Sequence, residues 1–270
     1  PKARRRQLIG SIIGGVIVAA IIAFVAWKLN AKGQFDSARW SPFKEQGIWQ
    51  YTFWPGIRAT LKAAALSIVF AVVFGLIMCS GRLSDHRWVR IPATIIIEFF
   101  RATPLLLLIL FIFIQTKGDI GILWPLVFGL TLYNGSVLAE TFRAGINAIP
   151  RGQSEAAYSI GLTKGRVMRL ILMPQAVRAM LPVIISQCVV VLKDTSLGYI
   201  IGYEELIRTG SRIPDTYDNI IPTAIVLAAM YIAVNYSLSK LATYIEGRQR
   251  RRGRATIDPM AEQTIAMESA

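Results

Sequence analysis

Apolar residues in this chain come in long blocks rather than in alternation. The blocks are Leu8–Leu29, Ala59–Ser80, Ile91–Ile114, Ile122–Ile146, Ala176–Leu192 and Ile220–Tyr244. A helix needs about 20 apolar residues to cross the hydrocarbon core of a bilayer. Five blocks have 22 to 25 residues; Ala176–Leu192 is shorter and carries Ser186 and Gln187. In lipid every backbone N–H and C=O must be satisfied within its own segment or a closed barrel. The pattern therefore predicts an all-α polytopic membrane protein with six transmembrane helices. Between the first two blocks, the polar loop Asn30–Gly56 contains Trp40, Trp49, Tyr51 and Trp54, aromatic residues suited to the membrane interface. A basic cluster, Lys2–Arg6, precedes the first block. That block is too long for the core of a signal peptide, and no small-x-small cleavage site follows, so an uncleaved span is expected.

Composition agrees. The 270 residues are 54% hydrophobic and 17% charged, against about 25% charged in soluble domains. A net charge of +14 suggests nucleic acid until its placement is considered. With the N-terminus inside, inner segments hold 18 basic residues and outer segments seven. This positive-inside bias places both termini in the cytoplasm and makes the bilayer, not nucleic acid, the partner of the basic residues. The Arg cluster from Arg248 to Arg254 is expected to meet anionic headgroups, and the polar residues after it to be disordered. Cys79 and Cys188 lie in apolar blocks and read as buried free thiols, with a disulfide left open. His86 is the single histidine, so neither a two-His metal site nor a Ser-His-Asp triad is expected, and no metal is called for.

The stretch Glu155–Pro174 is polar and basic between two apolar blocks. Pro150 precedes it, Pro174 is expected to end it, and Gly161 divides it into two short helical pieces. The second piece reads as amphipathic, with Leu162, Val167, Leu170 and Ile171 opposite Lys164, Arg166 and Arg169. Glu155, Ala156, Ala157, Gly161, Ile171 and Pro174 fall at the spacing Glu-Ala-Ala, three residues, Gly, nine residues, Ile-x-Leu-Pro, with Met173 in place of Leu. This resembles the coupling loop of binding-protein-dependent ABC importer permeases. Glu98-Phe99-Phe100-Arg101-Ala102-Thr103-Pro104-Leu105 resembles a segment of polar amino acid permeases, with Ala102 in place of Gly. Segments 139–145, 150–153 and 192–197 match as well.

The resemblance covers residues 56–247. It implies a five-helix type I ABC importer core with its coupling loop at 150–174. Residues 1–55 then form a basic N-terminus, an extra first span and an external loop, and 248–270 a cytoplasmic tail. The sequence has no Gly-x-x-x-x-Gly-Lys-Ser/Thr phosphate loop, so no cofactor is expected in this chain. The resemblance implies ATP and Mg on a partner ABC ATPase dimer, a second permease subunit (identical or a paralogue) and an extracytoplasmic solute-binding protein. It also implies a polar L-amino acid as substrate, with glutamate the first choice and glutamine the second.

Charges inside spans are costly and need a reason. Glu98 and Arg101, like Glu140 and Arg143, are three apart and share a helix face. Each pair is either a self-neutralised anchor or, through Arg101 or Glu140, part of the translocation path. Lys193, Asp194 and Thr195, near Gln187, either contact a zwitterion or cap a helix end. Segment 193–219 has three basic and five acidic residues, which offers no attraction for an anion. An ion-coupled secondary transporter is the alternative, although it leaves the coupling motif without a role. A membrane-embedded enzyme comes third, for want of a nucleophile or metal set.

Overall fold

Backbone hydrogen bonds close locally throughout the spans. The structure, a computed structural model, describes residues 2–254, and among them it is helical with no strand. Apart from the short pieces Ser37–Trp40 and Gln46–Ile48, the α-helices are α1 (Lys2–Ala31), α2 (Trp54–Arg82), α3 (Arg87–Ala102), α4 (Leu105–Thr116) and α5 (Leu123–Asn147). They continue with α6 (Arg151–Ser159), α7 (Lys164–Val167), α8 (Met173–Asp194), α9 (Leu206–Gly210), α10 (Ile213–Tyr217) and α11 (Ile220–Arg254). Apolar lengths of Gly10–Ala31, Gln46–Arg82, Lys164–Tyr199 and Ile220–Lys240 each suffice to cross a membrane. The predicted blocks are all helical.

The third block is not one straight span. It breaks between α3 and α4 with a bend of 103°. The cause is local: Pro104 lacks an N–H and crowds the residue before it, so Thr103 takes an extended conformation (φ −77°, ψ 128°). Pro174, expected to end the polar stretch, does not stop the chain. Met168–Leu172 forms one π-helical turn, and α7 runs through it into α8 as a continuous span. The π turn shifts the hydrogen-bond register, and Pro174 then sits in the first turn of α8, where its missing N–H costs least. At the other end α11 runs to Arg254, so the start of the predicted tail is helical. Residues 255–270 lie outside the described residues.

The fourth block, α5, is less apolar than the others because helices rather than lipid surround it. Fourteen of its residues are buried, and α2, α3, α4 and α8 all pack on it. Its tightest partner is α2, which buries Ala63, Ser67, Ala71, Gly75 and Cys79, one residue per turn. A side chain on Gly135 would place its Cβ 3.0 Å from the Ala71 carbonyl oxygen. Small residues let these backbones approach, which is how helices associate in lipid. The extra helix α1 buries none of its apolar stretch. The chain after it does dock: Phe43, Ile48 and Phe53 pack with Leu206, Ile213 and Leu227. Asn219 Nδ2 donates to the Arg39 carbonyl at 3.0 Å.

Candidate functional site

The α6–α7 hairpin is closed by the chain itself. The Leu162 N–H donates to the Ala157 carbonyl (3.2 Å) and the Gly161 N–H to the Tyr158 carbonyl (2.9 Å). Gly161 takes φ +81°. These are the two bonds and the left-handed residue that end a helix in a Schellman turn. Gly161 therefore divides the stretch as the sequence predicts. Ala157 (3% exposed) and Val167 (0%) face inward, whereas Glu155, Ala156, Gly161 and Pro174 are exposed and Ile171 is half-buried. One expectation fails: Leu170 lies outward with Arg166 and Arg169. Met168 and Leu172 take the inner side in its place, packed against the α5 core.

Sequence reasoning also missed what the hairpin presents. Ile160 is 76% exposed and Leu170 62%, large apolar side chains on an otherwise polar element. Lys164 tethers the hairpin to the α2–α3 loop: its ammonium pairs with Asp85 and donates to the Leu83 carbonyl at 3.4 Å. That hydrogen bond holds the Asp85 carboxyl below its ordinary range. Cavities of about 270 and 350 Å³ flank the tether.

At the hairpin end of the bundle, Arg101 and Glu140 enter one charge network. Arg82, the last residue of α2, donates through Nη1 to Glu98 (3.0 Å) and to Glu140 (2.8 Å). Arg101 adds its Nη1 to Glu98 at 3.4 Å, and Arg143 its Nε to Glu140 at 3.0 Å. The two i,i+3 pairs are present, but each carboxylate has a second cation. Arg82 lies 16 and 58 residues from its partners, and no sequence spacing marks such a link.

The other candidates lie along α8 and just past its end. Gln187 Nε2 donates to Asn134 Oδ1 at 2.6 Å, joining α8 to the buried Asn134 of α5. Lys193 is exposed and lines a cavity of about 540 Å³ with Ser196, Ile207, Tyr231 and Asn235. Asn235 Oδ1 is buried there with no hydrogen-bond partner among the described residues. Thr195 is buried and its hydroxyl donates to the Leu192 carbonyl at 2.7 Å. Asp194 is half-buried and supplies no side-chain cap, so the helix-cap reading fails for it.

The charge count over 193–219 also changes. Glu205 is fully buried, accepts from the Ile207 and Arg208 N–H groups at 2.9 and 2.8 Å, and takes the Tyr231 hydroxyl at 2.7 Å. Burial pushes its carboxyl above the usual range, opposed by those hydrogen bonds. It caps α9 and is no surface charge. Both cysteines are free thiols. Among the described residues no group of acidic, His or Cys side chains could hold a metal.

Comparison with known proteins follows the same lines. A glutamate transport system permease protein of Corynebacterium glutamicum, GluD, is 43% identical over 84% of this chain and 85% of its own. A probable glutamine ABC transporter permease protein of Bacillus subtilis, GlnP, is 38% identical over 73% of this chain and 93% of its own. The crystal structure of an amino acid ABC transporter with histidines superposes with a TM-score of 0.67, at 32% identity, covering 73% of this chain and 93% of that one. Over that stretch the chain shares the fold of an amino acid ABC transporter chain, as the resemblance implies. The model of the binding-protein-dependent transport system inner membrane component matches residues 71–251, a stretch that contains the hairpin, the charge network and the Lys193 cavity. With two thirds of its length accounted for in this way, the chain belongs to that family of inner membrane transport components.

Proposed function

We propose that this chain is the permease subunit of an ATP-driven importer of polar L-amino acids, with glutamate the first candidate and glutamine the second. The observation that carries the reading is the α6–α7 hairpin. Ala157 and Val167 are buried inside it, Met168 and Leu172 pack it on the bundle, and Glu155, Ile160 and Leu170 face outward. Exposed apolar side chains beside a carboxylate suit a protein surface better than water. A separate ABC ATPase dimer docks there from the cytoplasm, with ATP and Mg bound on it. Its closure moves the hairpin, and because α7 continues through the π turn into α8, that movement reaches the bundle. The spans then rock about a central passage in alternating access.

A pair of ATPases needs two hairpins, so a second permease, identical or a paralogue, completes the unit. An extracytoplasmic binding protein delivers the substrate. The distribution of basic residues supports a cytoplasmic hairpin and cytoplasmic termini, and a cysteine at Gly152 that labels only from that side tests this orientation. Lys193 and the unpartnered Asn235 carbonyl offer a cation and an acceptor to a zwitterion. The relatives GluD and GlnP, whose names carry glutamate and glutamine transport, support the substrate class. The experiment is uptake of labelled glutamate, glutamine and arginine into proteoliposomes holding the complex and its binding protein. ATP-dependent glutamate uptake is the expected result. Uptake of arginine alone overturns the substrate but keeps the importer, and uptake driven by an ion gradient without ATP overturns both.

A further inference from the structure

The Arg82 network joins elements that the backbone leaves loosely connected. The Thr103–Pro104 break bends α3 away from α4 by 103°, so α3 is a separate helical piece. On its other side, the short loop from Leu83 to His86 links it to α2. Two flanks stand out among its exposed residues. Trp88, Ile91, Ile95 and Phe99 form an apolar flank, and Arg87, Arg90, Glu98 and Arg101 a charged one. Only the charged flank meets the network. Glu140 and Arg143 lie on the last two turns of α5, just before the hairpin that we read as the ATPase dock.

We infer that Arg82 is a latch that makes α3 follow the hairpin end of α5. One guanidinium nitrogen holds a carboxylate from each helix, Glu98 of α3 and Glu140 of α5, at 3.0 and 2.8 Å. Arg82 is 19% and Glu140 23% exposed, sheltered enough for the pairs to outlast ordinary screening. Glu98 is 52% exposed, so the α3 arm is the weaker of the two and the one a moving helix would strain first. Arg101 and Arg143 keep each carboxylate charged and oriented when the other arm lets go. Movement of the hairpin reaches α5 through the chain, crosses to α3 through Arg82, and turns α3 about the Thr103–Pro104 break. Arg82 is a positioning residue in this scheme and touches no substrate.

The inference rests on the importer reading, and its test separates the two. Cysteines replacing Ile95 on α3 and Phe111 on α4, both 62% exposed, carry spin labels on either side of the break, after Cys79 and Cys188 are replaced by alanine. The reconstituted complex is then measured with and without ATP, together with uptake per ATP hydrolysed. In the otherwise native complex ATP changes the distance across the break. Glu98→Gln cuts the α3 arm and leaves the Arg82–Glu140 and Arg143–Glu140 pairs in place. The distance change is expected to vanish and uptake per ATP to fall about tenfold, within the roughly 5–150-fold range of coupling between sites, while ATPase binding stays normal. Arg82→Gln behaves alike, and Arg82→Lys recovers part of the uptake. The latch is wrong if Glu98→Gln keeps both the distance change and the uptake ratio. It is equally wrong if Glu98→Gln loses ATPase binding or membrane level, because the contact is then a structural joint. A native complex with no ATP-dependent uptake refutes the importer reading instead.

Discussion

At Gly161 the backbone stands at φ +81° with nothing within 4 Å of where a Cβ would lie. The cost of a side chain there is conformational alone, about 1–2 kcal/mol for an ordinary L residue. Asn tolerates this region better than Ala, and a β-branched residue tolerates it least. The expected order of ATPase retention is therefore Gly, Asn, Ala, Val, all at normal membrane levels. Retention that tracks side-chain volume instead of this order would show that Gly161 is kept for space. Glu205 makes a different prediction. Its folded carboxyl titrates above the ordinary glutamate range because burial disfavours the charge. The folded state then binds the proton more tightly than the unfolded one. That contribution to stability is complete below the unfolded value and is lost as pH rises through the raised folded value. Thermal unfolding of the purified chain checks it: the melting temperature falls over that window in the native chain, and Glu205→Gln flattens the fall.

Among the elements, α2 and α5 make the closest pair. A Cβ at Gly135 would meet Phe74 Cδ1 at 2.7 Å and the Ala71 carbonyl oxygen at 3.0 Å. The ring can turn but the carbonyl cannot. Gly135→Ala is expected to overpack the seam and cost about 1–3 kcal/mol, read as a lower melting temperature in detergent. Gly152→Ala on the hairpin, where no atom lies within 4 Å, is the control. The existence of α2 and α5 was legible, because an apolar run of that length has few other folds. Their contact was not, since Ala71 and Gly135 are 64 positions apart and small residues are common in any span. The α3–α4 break was half legible. Pro104 stood in plain view within an apolar block, but a block reads as one span when hydropathy alone is counted. The π turn at Met168–Leu172 left no such mark, and it moved Leu170 to the outer face.

For the molecule as a whole, the family was more legible than the geometry. Glu155, Ala156, Ala157 and Gly161 sit on one continuous element, so their spacing survives in the sequence. Arg82, Glu98 and Glu140 come from three helices and meet only after folding, and the same holds for Asn134 and Gln187. Glu205 was counted as a free charge because its partners, two backbone N–H groups and Tyr231, appear only in the fold. In the proposed importer the hairpin docks a separate ATPase through the face bearing Glu155. The most direct measurement is retention of the ATPase on the purified complex carrying Glu155→Lys, at matched membrane level. Losing one partner of a desolvated interfacial pair costs about 2–5 kcal/mol, whereas an exposed pair is worth about 0–1. Retention is expected to fall roughly thirty-fold or more, with uptake lost alongside. Near-native retention and uptake would contradict it and leave Glu155 an ordinary solvated residue.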